Sequence, residues 1–492
     1  MISFNVLTEP WIPAVDRKGQ QREYGLLELL DRAHELQAIV DSAPPIQLGI
    51  YRLVITFVQD ALGVYEFEDL EDILLDGVFD QGRLRDYVEG TGYHRFDLFD
   101  PGQPFLQSRS VPGDDVKPGS VVNLFYHLPA GNNLLHFVHA EENEHAVSPA
   151  VAARALCSIA PFMTQGGRGQ SPSINGAPPW YVLALGENLF KTILYNCCVM
   201  SISGLDQRVP PAWASDSYLE PGAEKVCYSL AEGYTWQPRQ VRLLPSEGGI
   251  CTYSGEVSSM LIRKMVWGAG HKFGGHDTWL DPQVPYRHDE KWGTVPLRPR
   301  EDRELWRDYG PLFLLRLDDG GTEGFSRPII VEQLASLKRE QIVAKDEAEQ
   351  FEIYGMRTSQ AKIFEWQYER LPLRTGVLEN TQAGAQVDYA LELAEKVASN
   401  LYGAIKRLYP RNASGNRGAL NRLIQMAQMK FWAELKPFFE GVYLEELSEQ
   451  RVDDETARQL LLYDWKKTLR SLGWSCLDKV LQDMDTGATA LQ

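Results

Sequence analysis

Cysteine is scarce in this sequence, and the few cysteines that occur are not paired. The 492 residues contain six of them, and no two form a CxxC pair: Cys157, Cys197, Cys198, Cys227, Cys251 and Cys476. Structural zinc sites usually need such pairs, and secreted disulfide scaffolds need a denser pattern. The composition therefore predicts free thiols in a reducing, cytoplasmic compartment, without disulfides or a structural metal.

Long apolar runs are also missing. No uninterrupted stretch of about 18 apolar residues occurs, and the start, MISFNVLTEPWIPAV, lacks a basic region followed by an apolar run. We therefore predict a soluble, non-secreted protein that does not contact a membrane. Apolar residues still make up 44% of the chain, which is enough for real cores in two or three domains.

Common catalytic and nucleotide-binding motifs are missing as well. The sequence has no GxSxG or HExxH, and GAGHKFGG at 268–275 fits neither GxGxxG nor GxxxxGK[ST]. Two His-Asp pairs, His276-Asp277 and His288-Asp289, could hold divalent ions as in metal-dependent phosphohydrolases, but both lie in Gly/Pro-rich sequence without further ligands at helical spacing. We expect a protein that is not an enzyme, with such a phosphohydrolase as the alternative.

Basic residues are in the minority. Lys and Arg number 49 against 67 Asp and Glu, a formal charge of −18 that repels nucleic acid if it is evenly spread. Residues 261–316 nevertheless carry ten basic against eight acidic residues, and residues 355–375 carry four against two. These local excesses are either ordinary surface variation or patches that neutralise phosphates.

The hydrophobic patterns predict an α+β fold in two parts. Residues 1–380 alternate helical segments with short strand-like runs and Gly/Pro-rich loops, as expected for a large, irregular mixed α/β domain. Residues 381–492 carry three amphipathic stripes, which begin at Ala390, Leu420 and Leu461 and predict a C-terminal helical bundle.

One loop of the first part is unusual for an acidic chain. Residues 162–180, FMTQGGRGQSPSINGAPPW, contain four glycines, three prolines and no acidic residue. The simplest interpretation is a mobile surface connector. Long loops in compact domains also often carry function.

Four motifs occur in a recognisable order: FNVLTEPWIPAV at 4–15, FDLFDPGQPFLQ at 96–107, GYTWQPRQVRLL at 233–244 and YGMRTSQAKIFEW at 354–366. Together with the C-terminal bundle, they resemble the CasA family, the large subunit of the type I-E CRISPR surveillance complex Cascade, over nearly the whole chain. The resemblance implies a noncatalytic subunit without a cofactor.

The same resemblance implies a role in antiviral defence. Such a subunit recognises the short motif beside the target, the PAM, in double-stranded DNA through the minor groove. It also helps to unwind the duplex for R-loop formation and recruits the helicase-nuclease, while the guide RNA reads the target sequence by base pairing. The implied partners are the other Cascade subunits, the 5′ end of the guide RNA, the target DNA and the helicase-nuclease.

The glycine-rich loop lies where the family has its DNA-contacting loop. The resemblance therefore assigns this role to Gly166, Gly167 and Gly169, because backbone without Cβ can approach base edges in a groove about 6 Å wide. Arg168, between these glycines, is placed to reach a phosphate.

Two further DNA contacts follow from the resemblance. The minor-groove lysine of the family corresponds to Lys272 or, alternatively, to Lys264. Gln360 corresponds to a wedge glutamine whose amide inserts beneath the last PAM base pair. Either lysine could instead be an ordinary solvated side chain.

A second loop corresponds to the family segment that docks on the guide RNA and neighbouring subunits. It is AGNNLLHFVHAEENEHAVS at 130–148. Phe137 is the aromatic residue expected to insert, with Asn132 and His139 as polar contacts. A core position for Phe137 is the alternative.

The chain departs from the family pattern at two points. Some members carry a cysteine cluster before the lysine region, whereas only Cys251 is present here, so we predict no zinc. The family bundle has four helices, but only three stripes are visible. The fourth helix is therefore missing, short or replaced.

Overall fold

The computed structural model describes residues 2–108, 117–125, 145–166, 170–205, 207–215, 222–275, 279–301, 303–314, 324–359, 362–409, 417–449 and 454–489. The elements up to the glycine-rich loop are β1 (Ile12–Asp16), β2 (Gln21–Tyr24), α1 (Leu26–Asp31), β3 (Leu36–Ile39), α2 (Pro44–Leu62), α3 (Phe67–Asp76), α4 (Gln81–Thr91), β4 (Gly119–Ser120), α5 (Pro149–Cys157) and α6 (Ile159–Phe162).

After this loop, the described elements are β5 (Tyr181–Leu185), α7 (Leu189–Tyr195), α8 (Met200–Ser203), β6 (Glu224–Lys225), α9 (Leu230–Tyr234), β7 (Arg239–Ile250), β8 (Val257–Ala269), β9 (Lys272–Phe273), β10 (Tyr286–Asp289), β11 (Gly293–Pro296), α10 (Tyr309–Phe313), β12 (Gly324–Ser326), α11 (Ile329–Arg339), β13 (Gln350–Ser359) and β14 (Lys362–Pro372). The chain then continues as α12 (Thr375–Glu379), α13 (Thr381–Leu408), α14 (Arg417–Phe438), α15 (Leu444–Glu449) and α16 (Glu455–Thr489).

The described strands form several small sheets of two or three strands each. Strands β2, β1 and β3 form an antiparallel sheet, and β14, β13 and β5 form a second in that order. The longest pairing is the β7–β8 hairpin, which aligns Arg239 with Ala269 at one end and Ile250 with Val257 at the other. The predicted α+β fold class is confirmed.

Helix α2 is the centre of the α/β part. It begins with Pro44 and Pro45, whose fixed φ suits the first helical turn, and ends at Gly63 in the left-handed conformation. Nearly all of its side chains are buried, because α4, α5, α6, α7 and α9 all pack against it. A Cβ at Gly49 would lie 2.6 Å from the backbone carbonyl carbon of Cys157, so α2 and α5 approach as closely as they do only because this residue is glycine.

The three predicted helical stripes correspond to α13, α14 and α16, which pack on one another. Trp465 of α16 is fully buried and donates its indole N–H to the Ala390 carbonyl at 2.9 Å. Pro437 lies inside α14 and removes a helical N–H donor, and the chain passes through a π-helical turn, Phe439–Tyr443, directly after it. Among the described residues, these three are the only helices of 22 residues or more.

Contacts divide the chain into two compact units. One comprises Met1–Arg303 with Pro328–Arg370, and the other comprises Glu304–Arg327 with Leu371–Gln492. The sequence division at residue 380 assigned 304–327 and 371–380 to the α/β part. In the structure Arg307 forms a two-pronged ion pair with Glu395 of α13, at 2.8 and 2.9 Å from its Nη2. Local sequence patterns cannot predict a contact between residues 88 positions apart, so the sequence division missed it.

No single helix in the described ranges is both long and apolar enough to cross a membrane. The pair α2 and α3, bent by 100° at the break between them, passes the same test of length and composition when the two helices are taken together.

Candidate nucleic-acid interface

The stem of the glycine-rich loop is closed by two backbone hydrogen bonds. The loop leaves the end of α6, and the N–H of Ser173 donates to the Met163 carbonyl at 2.8 Å. Nearer the tip, the N–H of Gly166 donates to the Gln170 carbonyl at 3.3 Å. The predicted residues Gly167, Arg168 and Gly169 lie outside the described residues. Gly166 therefore marks the neck of the loop.

Gly166 occupies a crowded position, although it is exposed to solvent. A Cβ built there would lie 2.1 Å from Oε1 of Gln170 and 2.9 Å from its Cβ. The amide could swing away, but the Gln170 Cβ is fixed to the backbone of the opposite stem. Any larger residue at 166 must therefore widen the neck.

Arg239, at the start of β7, holds both sides of this stem. One of its Nη atoms donates to the Thr164 carbonyl at 2.9 Å, and the other donates to the carbonyls of Ser171 and Pro238. The side chain is buried. A guanidinium with several donors in a rigid plane is suited to joining two backbone segments in this way.

Lys272 lies close to the loop stem in space. It begins β9, which pairs in parallel with β6 so that Lys272 is opposite Glu224. The side chain is 56% exposed and its ammonium forms an ion pair with the Glu224 carboxylate. The pKa of Glu224 is lowered by the hydrogen bond and charge of Lys272.

A cavity of about 730 Å³, which we call the loop groove, brings these features together. It opens between the loop stem, Lys272 and the β10–β11 hairpin. The residues that line it are Gln165, Gln170, Ser171, Pro172, Ser173, Ile174, Asn175, Gly176, Gly222, Lys272, Phe273, Trp279, Leu280, Tyr286, Trp292, Thr294, Val295, Pro296 and Arg298. Of these described lining residues none is acidic, in a chain of charge −18.

Below the loop groove lies a buried ion pair. Nη2 of Arg52, from α2, is 2.9 Å from the Asp281 carboxylate, and both side chains are almost completely buried. Asp281 also accepts a hydrogen bond at 2.8 Å from the amide of Asn175, which in turn accepts one from the indole of Trp279. Burial lowers the pKa of Arg52, but the charges of Asp281, Tyr234 and Tyr181 and the hydrogen bond to Asp281 together outweigh burial and raise this pKa.

This network joins two segments of the groove wall. Asn175 belongs to the end of the glycine-rich loop, whereas Trp279 and Asp281 lead into the β10–β11 hairpin. Since an unpaired buried charge is costly, the Arg52–Asp281 pair fixes both segments to α2. The groove therefore has a rigid floor.

The alternative lysine, Lys264, lies elsewhere. It is in the middle of β8, between Leu244 of β7 and Ser120 of β4. Five residues, or about 16 Å of extended strand, separate it from Ala269 at the end of β8. Lys264 is exposed but does not line the loop groove. The structure thus brings Lys272, and not Lys264, to the neck of the glycine-rich loop.

The remaining predicted contacts fall largely outside the described residues. Gln360 lies there, between β13 and β14, which pair as neighbouring strands. The docking residues Asn132, Phe137 and His139 lie there as well.

The comparisons with known proteins agree with this architecture. The family model of CRISPR-associated protein Cse1 matches residues 5–476. A CRISPR-associated protein CasA/Cse1 from Thermus thermophilus is 30% identical over 499 residues, covering 96% of this chain and 93% of the relative. The chain belongs to the Cse1 (CasA) family. The family assignment made from the sequence motifs is therefore confirmed.

Solved structures match the fold of this Cse1-family chain. The structure of Thermus thermophilus CasA (Cse1) superimposes with a TM-score of 0.75 at 26% identity, covering 100% of this chain and 96% of that one. A chain of a CRISPR RNA-guided surveillance complex superimposes with a TM-score of 0.73 at 18% identity, covering 98% of this chain and all of that one.

The His-Asp pairs of the alternative hypothesis do not form a metal site within the described residues. His276 and Asp277 lie outside those residues. His288 is on β10, and its Nδ1 is 3.2 Å from the Thr294 hydroxyl across the hairpin. The part of the chain that the structure describes contains no group of three or more His, Cys, Asp or Glu that could hold a metal ion.

All six cysteines of this Cse1-family chain are buried free thiols. Cys251 differs from the others in its hydrogen bonds, because its sulfur accepts from the backbone N–H groups of Ser148 and Ser254. Burial raises the pKa of the Cys251 thiol, but these hydrogen bonds, together with that of the Ser254 side chain, lower it below its ordinary value. Burial raises the pKa of the other five thiols.

The sequence analysis missed three residues that shape this site. Arg239 lies within the WQPRQ motif but was not singled out, and Trp292 and Arg298 were overlooked in the loop groove. Trp292 is 68% exposed, and the Lys291 ammonium lies 4.8 Å from its ring centroid. The adjacent residues Lys291 and Trp292, in a locally basic stretch, were the sequence signal that could have identified this part of the site.

Proposed function

We propose that this chain is the large subunit of a type I-E CRISPR RNA-guided surveillance complex. In this role it recognises the PAM in double-stranded target DNA, helps to unwind the duplex and recruits the helicase-nuclease, without catalysing a reaction itself. Membership of the Cse1 family supports the proposal. The single observation that carries the DNA-reading part is the loop groove, in which the neck of the glycine-rich loop and Lys272 lie together.

The electrostatics of the loop groove support binding to a polyanion. The chain as a whole repels DNA, so attraction must come from a surface free of carboxylates. Lys272 and Arg298 provide positive charge in the groove wall, and Lys272 is paired with Glu224, which does not line the groove. We therefore expect weak, salt-sensitive DNA affinity for the isolated chain and stronger, PAM-dependent affinity after assembly.

The form of the loop supports reading from the minor groove. The neck is closed at Gly166 and held by Arg239, so that both ends of the loop are fixed. Backbone N–H and C=O groups can then reach base edges, as proposed for Gly167 and Gly169, with Arg168 on a phosphate.

Two other segments have proposed roles in the assembled complex. Gln360, between β13 and β14, is proposed to part the duplex beside the PAM. The segment with Asn132, Phe137 and His139 is proposed to dock on the 5′ end of the guide RNA and on neighbouring subunits.

The two lysines provide a matched test of the proposal. Lys272→Ala removes a positive charge from the loop groove, whereas Lys264→Ala removes the same charge from the middle of β8. We expect Lys272→Ala to weaken binding of the assembled complex to a PAM-containing duplex about tenfold, which corresponds to about 1.4 kcal/mol. Lys264→Ala should stay within about twofold of the wild type. Equilibrium titration of labelled duplex measures both.

The salt dependence of the same titrations separates the possible outcomes. Loss of one phosphate contact should reduce the slope of log K against log salt by about one for Lys272→Ala only. If the two substitutions have equal effects, the loop groove is not the DNA-contacting surface. Binding that is indifferent to the PAM in the wild-type complex would instead indicate a purely architectural subunit.

A further inference from the structure

Strand β14 carries three exposed aromatic side chains on one face. Phe364, Trp366 and Tyr368 are 44%, 39% and 40% exposed, and they alternate with Glu365 and Gln367 along the strand. Residues at i, i+2 and i+4 of a strand point to the same side. We call these three residues the aromatic stripe. β14 is an edge strand of its three-stranded sheet, with β13 on one side.

Two members of the stripe are fixed in place by their neighbours. The hydroxyl of Tyr368 donates to the buried Glu352 carboxylate at 2.6 Å, and its ring lies 5.2 Å from that of Tyr354. The Arg357 guanidinium lies 4.9 Å from the centroid of the Phe364 ring. Since these side chains are already ordered, a ligand that stacks on them loses little side-chain entropy.

Both guanidinium groups beside the stripe are already paired with carboxylates. Arg370 pairs with Glu352 at 2.6 Å, and Arg357 lies 3.4 Å from Glu365 and 3.6 Å from Glu301. A ligand that depends on phosphate contacts alone has little to gain here. A ligand that offers flat, apolar faces can use all three rings.

The spacing of the rings matches such a ligand. Alternate residues of a strand are separated by about 6.7 Å. Adjacent bases in a DNA strand rise by about 3.4 Å, so a ring inserted between two bases requires about 6.8 Å. A single strand with unpaired bases can therefore stack along the stripe without distorting β14.

We infer that the aromatic stripe binds a single strand of DNA by base stacking, as a platform for one strand of the opened duplex. The inference rests on the proposed function, in which the duplex is parted at residue 360 between β13 and β14, so that the stripe begins four residues from the opening point. Aromatic side chains serve sequence-tolerant single-strand binding in this way, because every base has a π-face. In this account, the segment between β13 and β14 opens the duplex, and the aromatic stripe on β14 then holds one of the separated strands.

The stacking test uses the full chain and two fluorescent oligonucleotides of equal length, one of thymidines and one of abasic sites. Trp366→Thr keeps a residue suited to a strand but removes the ring, and Trp366→Tyr restores one. We expect Trp366→Thr to weaken thymidine binding about tenfold and Trp366→Tyr to stay within about threefold, with unchanged affinity for the abasic oligonucleotide.

Trp474→Thr provides the matched control, because this tryptophan of α16 is 58% exposed and lies outside the hairpin. It should leave both affinities unchanged. The thermal unfolding midpoint of each variant identifies any loss caused by misfolding. The slope of affinity against salt should be the same for the wild type and Trp366→Thr, because no phosphate contact is removed.

Two results would overturn the inference. One is equal thymidine binding by the wild type and by a folded Phe364→Thr/Trp366→Thr double variant. The other is a double variant that binds DNA normally but no longer assembles with partner subunits, which would identify the stripe as a protein-docking surface. Either result leaves the proposed function standing if Lys272→Ala still weakens PAM-dependent duplex binding. If Lys272→Ala has no effect, the DNA-reading part of the proposed function fails, whatever the stripe does.

Discussion

Arg239 shows how a single side chain positions the proposed DNA-reading loop. Its donors reach carbonyls on both stems, at sequence separations of 68 and 75. It lies in the same motif as Trp236, which is also buried, so the motif that supported the family assignment also holds the stem of the loop. The motif residues Trp11, Phe96 and Phe105 are likewise buried. Much of the recognisable sequence therefore encodes packing around the site.

His271, the residue before Lys272, makes folding sensitive to pH. Burial, assisted by the charge of Lys225, lowers its pKa to about 4, against 6.5 for an ordinary histidine. Between these values the unfolded chain binds a proton that the folded chain does not, so stability falls as the pH drops from about 6.5 toward 4. After allowance for solvent screening, the loss is on the order of 1 to 2 kcal/mol.

His271→Gln should remove this contribution. Urea unfolding at pH 7 and pH 5 measures it as the difference between the wild type and the variant, which cancels the effect of other titrating groups. We expect the wild type to lose more stability than His271→Gln on acidification. Parallel losses in the two proteins would mean that His271 titrates alike in the folded and unfolded states.

At the scale of elements, the loop groove depends on the buried pair between α2 and the segment before β10. Removing one member of such a pair leaves an uncompensated buried charge, which costs about 3 to 5 kcal/mol. Asp281→Asn should therefore lower the free energy of unfolding by roughly this amount. Glu28→Gln, which breaks the exposed pair with Arg22, should cost less than about 1 kcal/mol. Denaturant titration of the three proteins tests the comparison.

A double-mutant cycle identifies the cause of this loss. If the uncompensated charge is responsible, Arg52→Met combined with Asp281→Asn should cost clearly less than the sum of the two single substitutions. Additive losses would indicate that the two side chains contribute separately. They would also remove the argument that the pair joins the groove floor to α2.

The helices of the bundle were predictable because their signal is local. The stripes of α13, α14 and α16 repeat at three and four residues, and the predicted positions Ala394, Phe431 and Trp465 are indeed buried. Other predicted stripe positions differ. Leu408 is 50% exposed at the end of α13, and Leu393 lines a surface groove with residues of α16. Periodicity identifies a face of a helix, whereas the width of the buried part depends on what packs against it.

The loop groove was only partly predictable. The sequence identified the glycine-rich loop by its composition, and the family resemblance gave Lys272 as the preferred candidate and Lys264 as the alternative. These lysines are eight positions apart, and β8 ends between them. Their surroundings differ because Lys264 lies within β8, whereas Lys272 lies on β9, which pairs with β6. Asp281 and Arg52, 229 residues apart, leave no local pattern that could reveal their pairing.

At the scale of the whole molecule, a strongly acidic chain is proposed to read DNA through a small surface without carboxylates. Such a division of charge keeps nonspecific affinity low, because most of the surface repels the phosphate backbone. Specific binding then requires the loop groove to be held against the duplex by the rest of the complex. PAM dependence should accordingly appear only in the assembled complex.

The most direct test measures binding of the assembled complex to a library of duplexes that differ only in the motif beside the target. The chain is compared with a variant that has alanine at Gly166, Gly167 and Gly169, and with Gly90→Ala, where a Cβ meets nothing within 4 Å. We predict strong preference for a subset of motifs in the wild type and Gly90→Ala, and loss of that preference in the loop variant. An unchanged motif preference in a folded, assembled loop variant would contradict the account.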